Sequence, residues 1–356
     1  MKARVAAFVC IAACSTPPPS LDACAPLAAW PAADALFQND PTWIGSDAAY
    51  SVDLGGARVL WLFGDTFVAK DASRSRSNAW FVRNSVAIQS GSYDPSAAHA
   101  TFYWRTTAGD ATSFFPEDGA NWFWPLGGAR LPSRLVLFLL EEESTTSGLG
   151  FQAVGTKVVF VTNPDDDPSA WNVTSGDLPS FAFPVAFGAA VVTDGAYVYA
   201  YGDEEPGDHS VYVARFDASA LDAGDASSPL FWTNGAWAQA GASAPDVIFP
   251  GGANPPTEFS VQKRADGSYL AVQSVGFGAT TVAARTAPAP QGPWSETCTI
   301  YTPPEASRSD AIEYAGKGHP ELAGGSLVVT YATNATDLST LASDMSLYFP
   351  RFARAP

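Results

Sequence analysis

Residues 43–67 read WIGSDAAYSVDLGGARVLWLFGDTF. Two apolar segments, Tyr50 to Leu54 and Val59 to Phe63, flank Gly55-Gly56, and such a pattern predicts a β-hairpin closed by a glycine turn. The same texture recurs downstream, in short runs of Val, Phe, Tyr and Trp broken by Gly, Asp, Asn or Pro. Five groups are legible, spanning about residues 49–104, 122–161, 187–215, 259–285 and 319–352. Each holds three or four strand-sized segments and recurs at roughly 50 to 65 residues, the signature of propeller blades, whose radial stacking leaves only short protected edges. Two of the groups end a strand alike, in VYVARFD (211–217) and TVAARTA (281–287). The reading is all-β, a five-bladed β-propeller, with a two-sheet sandwich as the alternative. The fifth group shows only about three strands, which leaves residues 30 to 45 to supply a fourth and close the ring.

Composition agrees. Of 356 residues, 47% are hydrophobic and 13% aromatic, enough to pack a core. With Gly 30 and Pro 28 spread along the chain, long helices are excluded. Lys+Arg 19 against Asp+Glu 36 gives a net charge of −17, a field that repels phosphate backbones, so nucleic acid is not an expected partner. Walker-type phosphate loops, dinucleotide glycine fingerprints, Gly-x-Ser-x-Gly elbows and zincin motifs are absent.

At the N-terminus, Lys2 and Arg4 precede the apolar run Val5 to Ala13, and Ile11-Ala12-Ala13-Cys14 resembles a bacterial lipobox. The expected organisation is a signal peptide over 1–13, lipidation at Cys14, a tether over 14–32 that contains Pro17-Pro18-Pro19, and one propeller over 33–356. Such a chain sits at the cell envelope by a lipid anchor, or is secreted, as a monomer. Cys24 and Cys298 then remain as one possible disulfide, or as two unpaired small hydrophobes.

A three-residue loop at 55–57 would set Asp47 directly across from Asp65 on one face of the hairpin. Two carboxyls in one small space push their titrations apart, which makes an acid and a base from one residue type. A two-residue loop would separate them and leave turn caps.

RVLWLFGDTF (58–67), RNSVAIQ (83–89), TEFSVQ (257–262), APQGPWSE (289–296), GHPELAGGSLVVTYATN (318–334) and LYFPRF (347–352) follow in an order that resembles a family of five-bladed propeller glycoside hydrolases, formerly classed as a domain of unknown function and recognised as endo-D-arabinanases. The resemblance covers about residues 40–353, with a more distant similarity to furanosidases and L-arabinanases. It implies hydrolysis of a furanose polysaccharide, D-arabinan first, by two first-blade aspartates matching Asp47 and Asp65, with no cofactor. Asp65 is assigned nucleophile or base and Asp47 acid, the exchange of roles remaining open.

Further substrate-binding candidates are Asn84, Trp122, Trp124, Glu258, His319 and Glu321, each with a structural alternative: turn, core or strand cap. Asp165-Asp166-Asp167 and Glu141-Glu142-Glu143 read as solvated hairpin loops rather than calcium sites, and no metal is expected. A non-catalytic surface propeller that binds glycan or protein is the rival reading.

Overall fold

Strands as short as these are stable only when both faces are covered, and the sequence Val59-Leu60-Trp61-Leu62-Phe63 shows how this is done. Leu60 and Leu62 pack with Val86 and Ile88 on the side of the second blade, in one cluster with Leu137. Val59, Trp61 and Phe63 point the opposite way, against Phe349 and Phe352 of the fifth. The two-residue period thus places one strand between two sheets.

The computed structural model describes residues 22–179, 183–241, 244–251, 257–276, 280–322 and 326–356. Five antiparallel sheets form the blades. The first comprises Trp43–Gly55, Arg58–Ala69, Ser85–Ser90 and His99–Tyr103, with Ala79–Val82 added beside the second strand. The inner strands of the five are Trp43–Gly55, Trp122–Arg130, Val185–Asp194, Phe259–Lys263 and Ala311–Gly318. Each touches the next and the last touches the first, so the ring is closed.

Closure uses the segment just upstream of the one expected. Ala28 and Ala29 pair with Arg354 and Ala353 as the outer strand of blade five. Residues Pro31–Gln38 instead form a helix, opened by a proline whose missing N–H costs nothing there. Phe37 on this helix packs on Trp43, Trp61, Phe63 and Phe352, with ring centroids 4.9–6.1 Å away. Cys24 and Cys298 are joined as a disulfide, so the ordered chain is tied down well before residue 33. The expected signal peptide and Cys14 lie outside the described residues. No helix among the described residues is long and apolar enough to cross a membrane.

Much of the acidic excess is turn chemistry. In Asp94-x-Ser96, Asp167-x-Ser169, Asp217-x-Ser219, Asp266-x-Ser268 and Asp337-x-Ser339 the aspartate accepts the serine N–H at 2.8–3.0 Å. Asp165 pairs with Arg130, Asp166 accepts from Asn163, and Asp167 accepts from Tyr103, which accounts for that triplet. Glu141-Glu142-Glu143 is not a loop. It lies in the strand Leu135–Ser144, and Glu142 is buried.

Candidate active site

The hairpin of blade one departs from the expected register in a way that builds the site. Its turn has two residues, since Gly55 pairs with Arg58, but a bulge near Leu54 restores the expected pairing from Asp53↔Val59 to Tyr50↔Leu62. The ladder then breaks: Ser46↔Thr66 and Ala48↔Phe63 are the next pairs, so Asp47 alone faces Gly64 and Asp65. Ala48 and Ala49, at φ 63° and 60°, carry the strain of this irregular stretch. The two aspartates come together through bulges rather than by simple opposition. Gly64 is required by space, because a Cβ there would fall 2.6 Å from Asp47 Oδ1.

A buried hydroxyl network fixes the backbone beneath. Ser46 Oγ donates to the Asp65 carbonyl at 2.8 Å, Thr66 Oγ1 donates to Ser46 Oγ at 2.9 Å, and Tyr348 Oη donates to the Asp65 carbonyl at 3.0 Å. Such a second layer holds the carboxyls in one geometry.

Residues from other blades, together with Arg83 of blade one, then differentiate the pair. Tyr314 of blade five donates its hydroxyl to Asp47 Oδ2 at 2.6 Å. Trp124 of blade two donates Nε1–H to Asp65 Oδ1 at 3.0 Å, and Arg83 lies 3.4 Å from Asp65 Oδ2. Lys317, 1% exposed, sits 2.6 Å from Glu258 and 4.2 Å from the Tyr50 ring centre. Burial, reinforced by the negative charges of Asp65 and Glu258, pushes the Asp47 carboxyl up to about 7. Burial also raises Asp65, to about 6, opposed by the Trp124 and Arg83 bonds that favour its ionised form. One carboxyl therefore holds its proton to higher pH than the other.

Of the residues singled out in sequence, Asp47, Asp65, Trp124 and Glu258 belong to this constellation. Asn84 does not. It is buried, its amide donates to the carbonyls of Phe115 and Phe123, and its oxygen accepts from Phe115 N–H, so it pins the passage from blade one to blade two. Trp122 is 5% exposed, with the Arg83 guanidinium 4.2 Å over its ring, and offers no free platform. His319 is buried between Ser51 and Thr330, at 2.6 and 2.7 Å, and burial pushes it down to about 3, so it is a neutral packing residue. Glu321 lines an axial cavity of about 80 Å³ with His319, Lys317 and Ser51, below the acidic pair, and burial raises it to about 7. Arg83, Tyr314, Lys317 and Tyr348 were not anticipated. Only the apolar setting of Tyr314 and Lys317 in AIEYAGKG, on an inner strand, could have marked them.

The fold and much of the chain have relatives. A presumed hydrolase from Bacteroides ovatus is 18% identical with a TM-score of 0.75, covering 92% of this chain and 89% of its own, and shares the fold. The α-L-arabinofuranosidase of Podospora anserina is 12% identical at a TM-score of 0.48, over 89% of this chain and 92% of that one. The endo-arabinase of Bacteroides thetaiotaomicron is 14% identical at a TM-score of 0.45, over 88% and 94%. No curated protein matches the sequence. The model of a family described as Domain of unknown function (DUF5005) matches residues 32–355, nearly the whole propeller, and the chain belongs to that family.

Proposed function

We propose that this propeller is a glycoside hydrolase that cleaves furanosidic linkages of a polysaccharide, D-arabinan first, by way of Asp47 and Asp65. The carrying observation is the pair itself: two half-buried carboxyls on adjoining strands, one bound by a neutral phenol and one by a cation and an indole. Glycoside hydrolysis passes through an oxocarbenium-like transition state and needs one protonated and one ionised carboxyl. Asp47, held at about 7, is the group protonated near neutrality and acts as the acid on the leaving oxygen. Asp65, steadied by Arg83 and Trp124, is the nucleophile or the base that activates water.

Glu258 is suited to a different task. Its Oε2 is held 2.6 Å from Lys317 Nζ, so it is placed as an acceptor for a sugar hydroxyl and, by its charge, helps keep the proton on Asp47. Half-exposed Trp124, with Phe151 edge-on at 4.8 Å, is a platform for the ring next to the scissile bond. The ordered motif resemblance supports the furanose polymer as substrate, and the lipobox supports an anchored enzyme meeting it outside the cytoplasm.

The test is product analysis of the purified chain on D-arabinan and on plant L-arabinan, beside Asp47→Asn and Asp65→Asn. Oligosaccharides should appear from D-arabinan, with rates reduced roughly 10²–10⁴-fold in each folded variant. No release from either polymer, with glycan binding retained, would replace the hydrolase with a recognition module.

A further inference from the structure

A second polar cluster stands at the junction of blades two and three, apart from Asp47 and Asp65. Asp203 is the penultimate residue of the second strand of blade three, Tyr197–Glu204, and Glu205 and His209 follow in the loop. One ligand atom from each of the three can be chosen so that all lie within 4.8 Å of one another. His209 Nδ1 is 3.3 Å from Asp203 Oδ2 and 2.8 Å from Glu205 Oε2. Asp203 is 5% exposed, whereas His209 remains reachable from solvent with 28% of its side chain.

An independent observation comes from blade two. Glu142 is 2% exposed, and its Oε2 has no hydrogen-bond partner among the described residues. Its direction follows from the strand. Phe138 faces blade three, where it fills the space beside Gly188, and side chains four apart on a strand share a face. Glu142 therefore points from blade two toward the blade that carries the cluster, and the negative charges that act on it are Glu205 first and Asp65 second.

Charge completes the case. Glu142, Asp203 and Glu205 form no ion pair with a lysine or arginine among the described residues, and His209 is the one cationic group in contact with the cluster. Three carboxylates against one imidazolium leave an excess of negative charge in a mostly buried place, which is costly unless protons or a cation neutralise it.

We propose that Asp203, Glu205 and His209 bind one divalent metal ion, with the Glu142 carboxylate as the neighbouring acceptor that completes its environment. One imidazole nitrogen with carboxylate oxygens suits zinc or manganese better than calcium, which favours an all-oxygen shell. This departs from the sequence reading, in which no metal is expected. The site does not depend on the hydrolase assignment.

The test uses the full chain, stripped with chelator, then desalted after exposure to Zn²⁺, Mn²⁺ or Ca²⁺ alone. Elemental analysis should show one equivalent of zinc or manganese, and the melting temperature should rise by a few degrees at about 100-fold excess over Kd. His209→Gln and Glu205→Gln should abolish both effects, Glu142→Gln should weaken binding roughly 10–100-fold, and Asp165→Asn should change nothing. Absence of retained metal and of any thermal shift in the wild-type chain would overturn the proposal and leave a proton-bridged ion triad. Equal retention by the folded Glu205→Gln and His209→Gln variants would overturn it as well. The wild-type comparison decides the matter even where a variant fails to fold.

Discussion

Asp47→Asn should make the protein more stable at pH 8 and leave it unchanged at pH 4. Asp47 titrates at about 7 in the folded chain against an ordinary 3.8. A raised carboxyl pKa means that the folded state holds the proton more tightly than the unfolded one. The stability this contributes is complete below the unfolded pKa and disappears as pH rises from about 4 through about 7. Full ionisation of such a group costs the folded state roughly 4 kcal/mol, and partial exposure reduces this to about 2–4 kcal/mol. With an unfolding entropy of ~2.1 cal/mol/K per residue over about 330 residues, each kcal/mol moves Tm by ~1.4 °C, so the variant should melt ~3–6 °C higher at pH 8. Asparagine is nearly isosteric and still accepts the Tyr314 hydroxyl, so little else changes. Thermal unfolding followed by circular dichroism at both pH values, at one ionic strength, reads the difference. No gain at pH 8, or an equal gain at pH 4, would refute the electrostatic account of the pair.

If Asp65 must be ionised and Asp47 protonated, kcat/KM on the polysaccharide should follow a narrow bell with limbs near 6 and 7, read by initial rates across pH 4–9. Lys317→Met strands the Glu258 charge at the floor of the site and should cost about 3 kcal/mol in denaturant unfolding, part of which Glu258→Gln in the same chain restores. Cys24→Ser opens a loop spanning 274 residues and should lower stability by up to about 5 kcal/mol, a loss that reductant reproduces in the wild type. Asn84→Ala removes three backbone-directed hydrogen bonds and should destabilise by about 2–3 kcal/mol, while KM of the folded fraction stays within twofold of wild type.

The blades are legible in the sequence because a strand covered on both faces must be apolar at consecutive positions, and glycine and proline mark where it stops. Asp47 and Asp65 are legible because they stand on one hairpin, where spacing constrains position. The same spacing argument missed the bulges, since a change in loop length and a bulge offset each other and only the coordinates separate them. Groups brought in from other blades were beyond its reach. Tyr314 and Lys317 acquire their roles from ring closure, which sets Tyr314 on Asp47 across 267 positions, while Arg83 reaches Asp65 from the strand connection within blade one. Asn84 and His319 stayed open between binding and structural readings for the converse reason: a polar residue beside a strand looks the same whether it meets solvent or a buried carbonyl. Glu142 was hidden among three consecutive glutamates, of which Glu141 and Glu143 find amide partners in Asn121 and Gln152 while Glu142 turns inward.

The proposed catalytic groups stand beside the seam where the ring closes, and that location explains the construction around them. Asp47 is in blade one and Tyr314 in blade five, so their bond crosses from one end of the propeller to the other. Any parting of the seam would hydrate Asp47 and lower its pKa toward the ordinary value, removing the difference between the two aspartates. The seam is accordingly held by contacts that tolerate charge nearby: Phe37 and Trp30 packed on Phe352, and the Ala28–Ala29 strand, whose lead-in is tied to blade four by the Cys24–Cys298 bond. Arg76 adds a polar clasp, donating from blade one to the carbonyls of Leu341, Asp344 and Leu347 in blade five. The destabilising carboxyls and this fastening of the ring thus occupy the same place, because the one can persist only where the other prevents water from entering.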